Sequence, residues 1–168
     1  WGLPVDGSRL LADDAGVARE PRGARPMPAD LLPAVRERAQ ANAFWRHLGI
    51  EVDDAREGWV RLRVPIRDAL RNAPGAPVHG GVYSALVDMA VGGALSTLHE
   101  TSAGGVGQTT LDLNVSFLAA ASEGEIVAEG RILRRGRTIA VGEATITDSA
   151  GRLMAVGRAT YMLIAPRS

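Results

Sequence analysis

A chain of 168 residues is enough for one domain of ordinary size and short for two. Hydrophobic residues make up 46% of it and charged residues 23%, the balance of a globular protein rather than of a disordered one. Nineteen basic side chains offset nineteen acidic ones, which removes any global attraction to nucleic acid or to an anionic membrane. There is no cysteine, so a disulfide framework, a thiolate metal site and a cysteine nucleophile are all excluded, and three histidines alone do not build a zinc site. No metal or redox cofactor is expected, and the expected compartment is the reducing cytoplasm. Every basic residue is Arg and none is Lys, read here as a genomic bias. No positively charged segment followed by an apolar core stands near Trp1, so no secretory signal is expected.

Residues 1–28 are rich in Pro, Gly and Arg without a sustained period and read as an arm or linker. The domain proper is expected over 29–168. A helix is predicted from Pro28, with Asp30 near its start and Leu31, Leu32, Val35, Ala39, Ala43 and Leu48 at helical spacing, until Gly49 ends it. Ile50 to Val52 and Trp59 to Val64 alternate apolar with polar around a Glu57-Gly58 turn, which predicts a hairpin. A Pro- and Gly-containing loop, Arg71 to Pro77, leads to His79-Gly80-Gly81 and then to a run, Val82 to Leu98, that is apolar almost all round. Such a helix must be buried on most faces, and Asp88 within it makes a poor membrane span.

Beyond a break at Gly104-Gly105 come four stretches of alternation. In the first, Leu111, Leu113, Val115 and Phe117 oppose Thr110, Asp112, Asn114 and Ser116. The others are Glu125 to Leu133, Arg137 to Thr147 after a turn at Gly136, and Leu153 to Leu163 after the turn Asp148 to Gly151. The order predicts an α+β fold, one long central helix wrapped by a curved antiparallel sheet that supplies the apolar face the helix needs. No internal repeat is present.

Asp88 is the one charged residue of the buried helix. Removing an unpaired carboxylate from water costs several kcal/mol by order of magnitude, so Asp88 is either satisfied by nearby donors or kept for chemistry. His79-Gly80-Gly81 begins the same helix. Its first-turn N–H groups have no intrahelical acceptor and sit at the positive end of the helix dipole, so they suit an anion or a developing oxyanion. Gly80 and Asp88 are eight residues apart, roughly 12 Å along a helix axis. A base and an oxyanion donor must both lie within about 3 Å of one carbonyl group, which one helix does not easily provide. Two antiparallel copies related by a two-fold axis bring Gly80 of one chain to Asp88 of the other, giving two composite sites per dimer.

These residues carry a resemblance. HGGVYSALVDMAVGGAL, then TTLDLNVSFLAAASEGE and RILRRGRTIAVGEATITDSAGRLMAVGRATY, with the lead-in NAFWRHLGIEV, is similar to hot-dog fold acyl-CoA thioesterases of the phenylacetate-pathway type over roughly residues 44–163. The acid nine positions after the histidine is a fairly specific mark of that group. The resemblance implies an acyl-CoA or related thioester as substrate, with Asp88 as nucleophile or general base and the Gly80 amide polarising the carbonyl from the other chain. It also implies Thr110 as a residue that positions the acid or the water. Arg134-Arg135-Gly136-Arg137-Thr138 matches a hairpin that meets the nucleotide end of coenzyme A in relatives. Many relatives carry an Asn six residues before the histidine; here that position is Ala73, and Asn72, one place further back, is expected to reach the thioester through an extra loop residue. His79 and Gly81 are expected at the substrate, His79 as an organiser of the loop.

Tyr83 and Met89 suit either an acyl pocket or core packing, His47 and His99 read as structural or exposed, and Asp112 and Asn114 face away from the core or line a subunit interface. A homodimer, or a dimer of such dimers, is expected. Two other readings share the scaffold. One is an acyl-CoA-binding or sensing protein without turnover, which tight ligand retention would mark. The other is a hydratase or dehydratase, which would need a paired His on another element.

Overall fold

In a computed structural model of the chain, residues 30–98 and 107–164 are described. The arm expected over 1–28, His99 and the Gly104-Gly105 break lie outside the described residues. Three helices and six strands follow one another: α1 (Leu32–Ala41), α2 (Ala43–Leu48), β1 (Glu51–Arg56), β2 (Trp59–Pro65), α3 (Gly80–Ser96), β3 (Gly107–Phe117), β4 (Glu125–Arg135), β5 (Ile139–Asp148) and β6 (Leu153–Ile164).

The single helix predicted over 28–48 is two. Asn42 takes an extended conformation (φ −82°, ψ 115°), and its side chain accepts from the N–H groups of Phe44 and Trp45 at 3.0 and 3.2 Å. An Asn satisfies the orphan donors of a new helix better than it continues an old one, and that local competition breaks the chain where hydrophobic spacing alone runs straight through. Gly49 ends α2 as expected. The bend turns Trp45 back onto α3, 3.4 Å from where a side chain on Gly93 would begin.

The strands form one antiparallel sheet in the order β1-β2-β4-β5-β6-β3. Every turn that the alternation placed between strands is present, but β3 pairs with β6 rather than with its neighbour in sequence, β4. α3 carries the chain from the β1-β2 end across the concave face to the far edge. Leu86, Val87, Ala90, Val91, Ala94 and Leu95 are fully enclosed there, each larger side chain contributing about 1.5–3 kcal/mol by burial. The sheet accepts the helix closely because its inner rows are small. Gly130 pairs with Ala144, and Gly142 with Ala159. A Cβ on Gly130 would stand 2.3 Å from the Ala90 backbone, so the contact requires glycine.

The two edges differ. At β1 the helix α1 lies alongside, and Arg36 Nε donates to the Val52 carbonyl at 2.9 Å. β3 is an open edge whose residues are almost all exposed, Leu111, Leu113 and Phe117 among them.

β3 also corrects the predicted alternation. Its register with β6 shifts between Thr110 and Asp112: Thr110 is opposite Tyr161, yet Asp112 is opposite Thr160. That bulge places Thr110 on the same face as Leu113, Val115 and Phe117, which oppose the inward Ala159, Gly157 and Ala155. Strict alternation puts Thr110 on the other side, away from the helix. One extra residue reverses this.

Candidate active site

Asp88 lies midway along α3 and is half-buried. Its Oδ1 accepts from Thr110 Oγ1 at 2.7 Å and from the Tyr161 hydroxyl at 2.6 Å. The Tyr161 hydroxyl is also 2.7 Å from the Asp88 carbonyl oxygen, so its one proton is shared between the two acceptors of a single residue. Oδ2 accepts nothing from the described residues. The carboxylate is therefore anchored through one oxygen and free at the other. Of the two readings left open for Asp88, the structure shows the first, a carboxylate satisfied by nearby donors.

Tyr161 was not singled out by the sequence. It is almost wholly buried, and burial, followed by the adjacent Asp88 carboxylate, pushes its phenol above the ordinary tyrosine range, so it remains a donor. A signal for it did exist. It falls on the inward phase of β6 with Ala159 and Leu163, and a buried phenol requires a polar partner. Gly92, one turn beyond Asp88, makes room for it: a Cβ there would stand 2.7 Å from the Tyr161 oxygen. Gln108 Nε2 donates to the Gly92 carbonyl at 2.8 Å and ties β3 to the same turn.

Beside the carboxylate opens a cavity of about 660 Å³. It runs between the α1-α2 bend, α3 and the first residues of β3, with Phe44, Trp45 and Met89 as its apolar walls. Of the two residues suggested for an acyl pocket, Met89 lines this cavity. Tyr83 does not: it is buried elsewhere and its hydroxyl accepts from the Ala121 N–H at 3.0 Å, in the β3-β4 connection.

His79 is the N-cap of α3, its Nδ1 accepting from the Gly81 N–H at 2.8 Å. The ring thus organises the helix start and consumes the Gly81 donor. The Gly80 N–H, in contrast, finds no acceptor among the described residues. Phe117 packs over this turn, 3.5 Å from where a Gly80 side chain would begin. Gly80 and Asp88 are both half-buried, and their separation of eight positions on one continuous helix keeps them about 12 Å apart. Asn72 sits in the loop before the helix, its Nδ2 donating to Pro77 O at 3.2 Å.

Arg134 and Arg135 end β4, Gly136 donates to the Ile139 carbonyl at 2.7 Å to close the turn, and Thr138 O accepts from Leu163 N at 2.8 Å. Arg134, Arg135 and Arg137 are exposed and form no ion pair among the described residues. Arg135 opposes Ala140, which opposes Tyr161, which opposes Thr110. The basic turn therefore lies on the same cross-strand row as the Asp88 anchors, two strand spacings or about 10 Å from Tyr161. His47 is exposed and stacks on Phe44, and Asp112 and Asn114 are exposed on the convex side of β3. No group of three or more metal-ligating side chains occurs among the described residues, and no helix there is long and apolar enough to cross a membrane.

A long central helix wrapped by one six-stranded antiparallel sheet is the hot-dog arrangement, and here the helix carries an anchored carboxylate that lines a mixed cavity. The family model of the thioesterase superfamily matches residues 77–155. A Halobacterium salinarum protein named as a putative esterase is 38% identical over 123 residues, covering 68% of this chain and 80% of the relative. Among solved structures, a Haemophilus influenzae thioesterase superposes with a TM-score of 0.71 at 28% identity, covering 80% of this chain and 90% of its own. A hypothetical thioesterase protein of Streptococcus pneumoniae, solved with coenzyme A, has a TM-score of 0.62 at 25% identity and covers 71% and 88%. The chain belongs to the thioesterase superfamily and is a thioester hydrolase with the hot-dog fold.

Proposed function

We propose that the protein hydrolyses an acyl-CoA to the free acid and coenzyme A, at a site that two copies of the chain build together. The observation that carries this reading is the Asp88 carboxylate, anchored at Oδ1 by Thr110 and Tyr161, open at Oδ2 and facing the cavity. Asp88 attacks the thioester carbon directly, forming an anhydride that water then hydrolyses to the free acid and the restored carboxylate, or it takes a proton from the water that attacks that carbon. Either way the carbonyl oxygen gains charge, the C–S bond breaks, and the departing thiolate takes up a proton. The Gly80 N–H, without an acceptor among the described residues and at the positive end of α3, suits that oxyanion. Since it lies a helix half-length from its own Asp88, it serves the Asp88 of a partner.

The open β3 edge supports that partner. It presents unpaired backbone together with Leu111, Leu113, Phe117 and Leu118, exposed by 54, 38, 56 and 56%, a combination that an isolated chain does not tolerate well. Arg134, Arg135 and Arg137 suit the phosphates of coenzyme A, since guanidinium groups pair bidentately with them, and the coenzyme A in the pneumococcal structure supports a CoA ester as the substrate class. Asn72 retains one amide proton for the thioester beside its bond to Pro77. A dimer of dimers is part of the same reading.

The test is complementation. Asp88→Asn removes the acid, with an expected loss of about 10²–10⁴-fold in thiol release from an acyl-CoA. Gly80→Pro removes the donor while preserving the helix start: proline suits the first helical position, and His79 already has the extended ψ of 135° that precedes a proline. Each variant alone is expected to be inactive. Unfolded and refolded together, they are expected to recover about a quarter of wild-type turnover, because half the dimers then hold one intact site. Mixtures as inactive as their components overturn the shared site, and an Asp88→Asn variant with full activity overturns the role of the acid.

A further inference from the structure

The cavity has a second charged end. Asp88, Gly92 and Ser96 form one stripe along α3, and eight residues separate the first from the last, about 12 Å of helix. At the Ser96 end, Arg38 of α1 reaches into the same cavity, and its Nη1 donates to the Ser96 carbonyl at 2.9 Å. That is the guanidinium's one hydrogen bond to the described residues, and no carboxylate among them lies within ion-pair distance of it. A partly buried guanidinium is costly to desolvate without an anion beside it. Burial accordingly lowers the Arg38 pKa, while its sequence neighbour Glu37 acts the other way from a distance. Four guanidinium N–H groups remain for a ligand. Between the two ends the cavity is lined by Met89, Phe44 and Trp45, with Trp45 packed against Gly93 of α3.

We propose that Arg38 receives a carboxylate at the far end of the acyl group, so that the preferred substrates are CoA monothioesters of medium-length dicarboxylic acids. This rests on the acyl-CoA reading above. The thioester carbon is held at Asp88, the methylene chain runs through the cavity along Met89 and Trp45, and the second acid pairs with Arg38 as a charge-assisted, bidentate contact. An unsubstituted chain of equal length places a methyl group against the guanidinium and gains no such contact.

Adipyl-CoA and hexanoyl-CoA have equal carbon counts and differ in the terminal group alone. With the full chain, adipyl-CoA is expected to have the higher kcat/KM by at least about tenfold. Arg38→Met is expected to abolish that preference by lowering the rate on adipyl-CoA while hexanoyl-CoA is hydrolysed as well as before or better. Arg38→Gln, which keeps a donor for the Ser96 carbonyl but no charge, is expected to do the same and serves if the methionine variant fails to fold. Wild-type preference for hexanoyl-CoA, or equal loss on both substrates in the variants, overturns the inference. Calorimetric titration of Asp88→Asn with the two thioesters reads the pocket without turnover. There, tighter binding of adipyl-CoA that is lost with Arg38 upholds the inference, and equal binding overturns it. If neither thioester releases thiol from the wild-type chain, the acyl-CoA reading fails, and the titration still decides the role of Arg38.

Discussion

The hydroxyl of Tyr161 lies 2.6 Å from Asp88 Oδ1 and 2.7 Å from the carbonyl oxygen of the same aspartate, which joins the last strand to the middle of the central helix across 73 positions of sequence. The contact fixes the side chain of Asp88 and the helix turn that carries it. Tyr161 is thus a positioning residue. It acts on the acid, with Thr110 as its companion donor on the neighbouring strand.

Tyr161→Phe keeps the ring and removes the donor. Loss of a hydrogen bond to a charged acceptor costs about 1.5–3 kcal/mol, so kcat is expected to fall by about one to two orders of magnitude with KM nearly constant. An unchanged kcat would mean that Thr110 alone suffices to hold the acid.

Gly92→Ala tests the same contact from the helix side. The added Cβ would stand 2.7 Å from the Tyr161 oxygen and 3.1 Å from Gln108 Nε2, so the phenol must retreat from Asp88. Alanine favours a helix interior by about 1 kcal/mol over glycine, and the displaced contacts offset that gain. The expected outcome is a near-normal Tm with activity lowered as in Tyr161→Phe, measured by thermal melting and thiol release on one preparation. The double variant is expected to be no worse than either single one, since both remove one contact.

Gly130→Ala has no such latitude. Its Cβ would meet the Ala90 carbonyl carbon and oxygen at 2.3 Å, and both partners are backbone. The helix must lift from the sheet along its enclosed row. A loss of at least about 1–3 kcal/mol is expected, the cost of overpacking a close-packed interior, read as a fall in the denaturant midpoint at constant m-value.

The β5-β6 turn makes stability depend on pH. Asp148 accepts from the Arg152 N–H at 2.9 Å, from Arg152 Nε at 3.1 Å and from the Ala150 N–H at 3.0 Å, and these bonds, the Arg152 backbone first, hold its carboxyl below the usual aspartate range. A carboxyl whose pKa is depressed on folding adds stability above its unfolded value, near 3.8, and that contribution fades as pH falls through the lower folded value. Asp148→Ala is therefore expected to have a lower Tm than wild type at neutral pH, with the gap closing below that range. A gap that stays constant into strong acid would show that the turn does not depend on the charge.

Much of this fold is written in local pattern. The Glu57-Gly58, Gly136 and Asp148 to Gly151 turns, the strands on either side of them and the buried run after His79 all follow from spacing and turn chemistry, because those signals act over a few residues. Asp88 is legible too, as the one charge in a helix that is otherwise mostly apolar. What spacing could not supply was the break at Asn42, where a side-chain cap competes with continuation, or the face shown by Thr110. The bulge beside Thr110 is set by its pairing with β6, and alternation assumes that no residue is extra.

The sequence by itself determined which segments are helix or strand, where they turn, and that an acid and a glycine-rich helix start share one element, since each of these is a property of neighbours along the chain. The tertiary structure alone decided that β3 lies beside β6, that Tyr161 and Thr110 meet on Asp88, and that a bent α1-α2 pair encloses a cavity with Arg38 at its far end. Those relationships depend on how strands order themselves around a helix seated on glycines. The free energy that selects the order comes from burying most of α3 along its whole length at once, a quantity that no short window of residues contains.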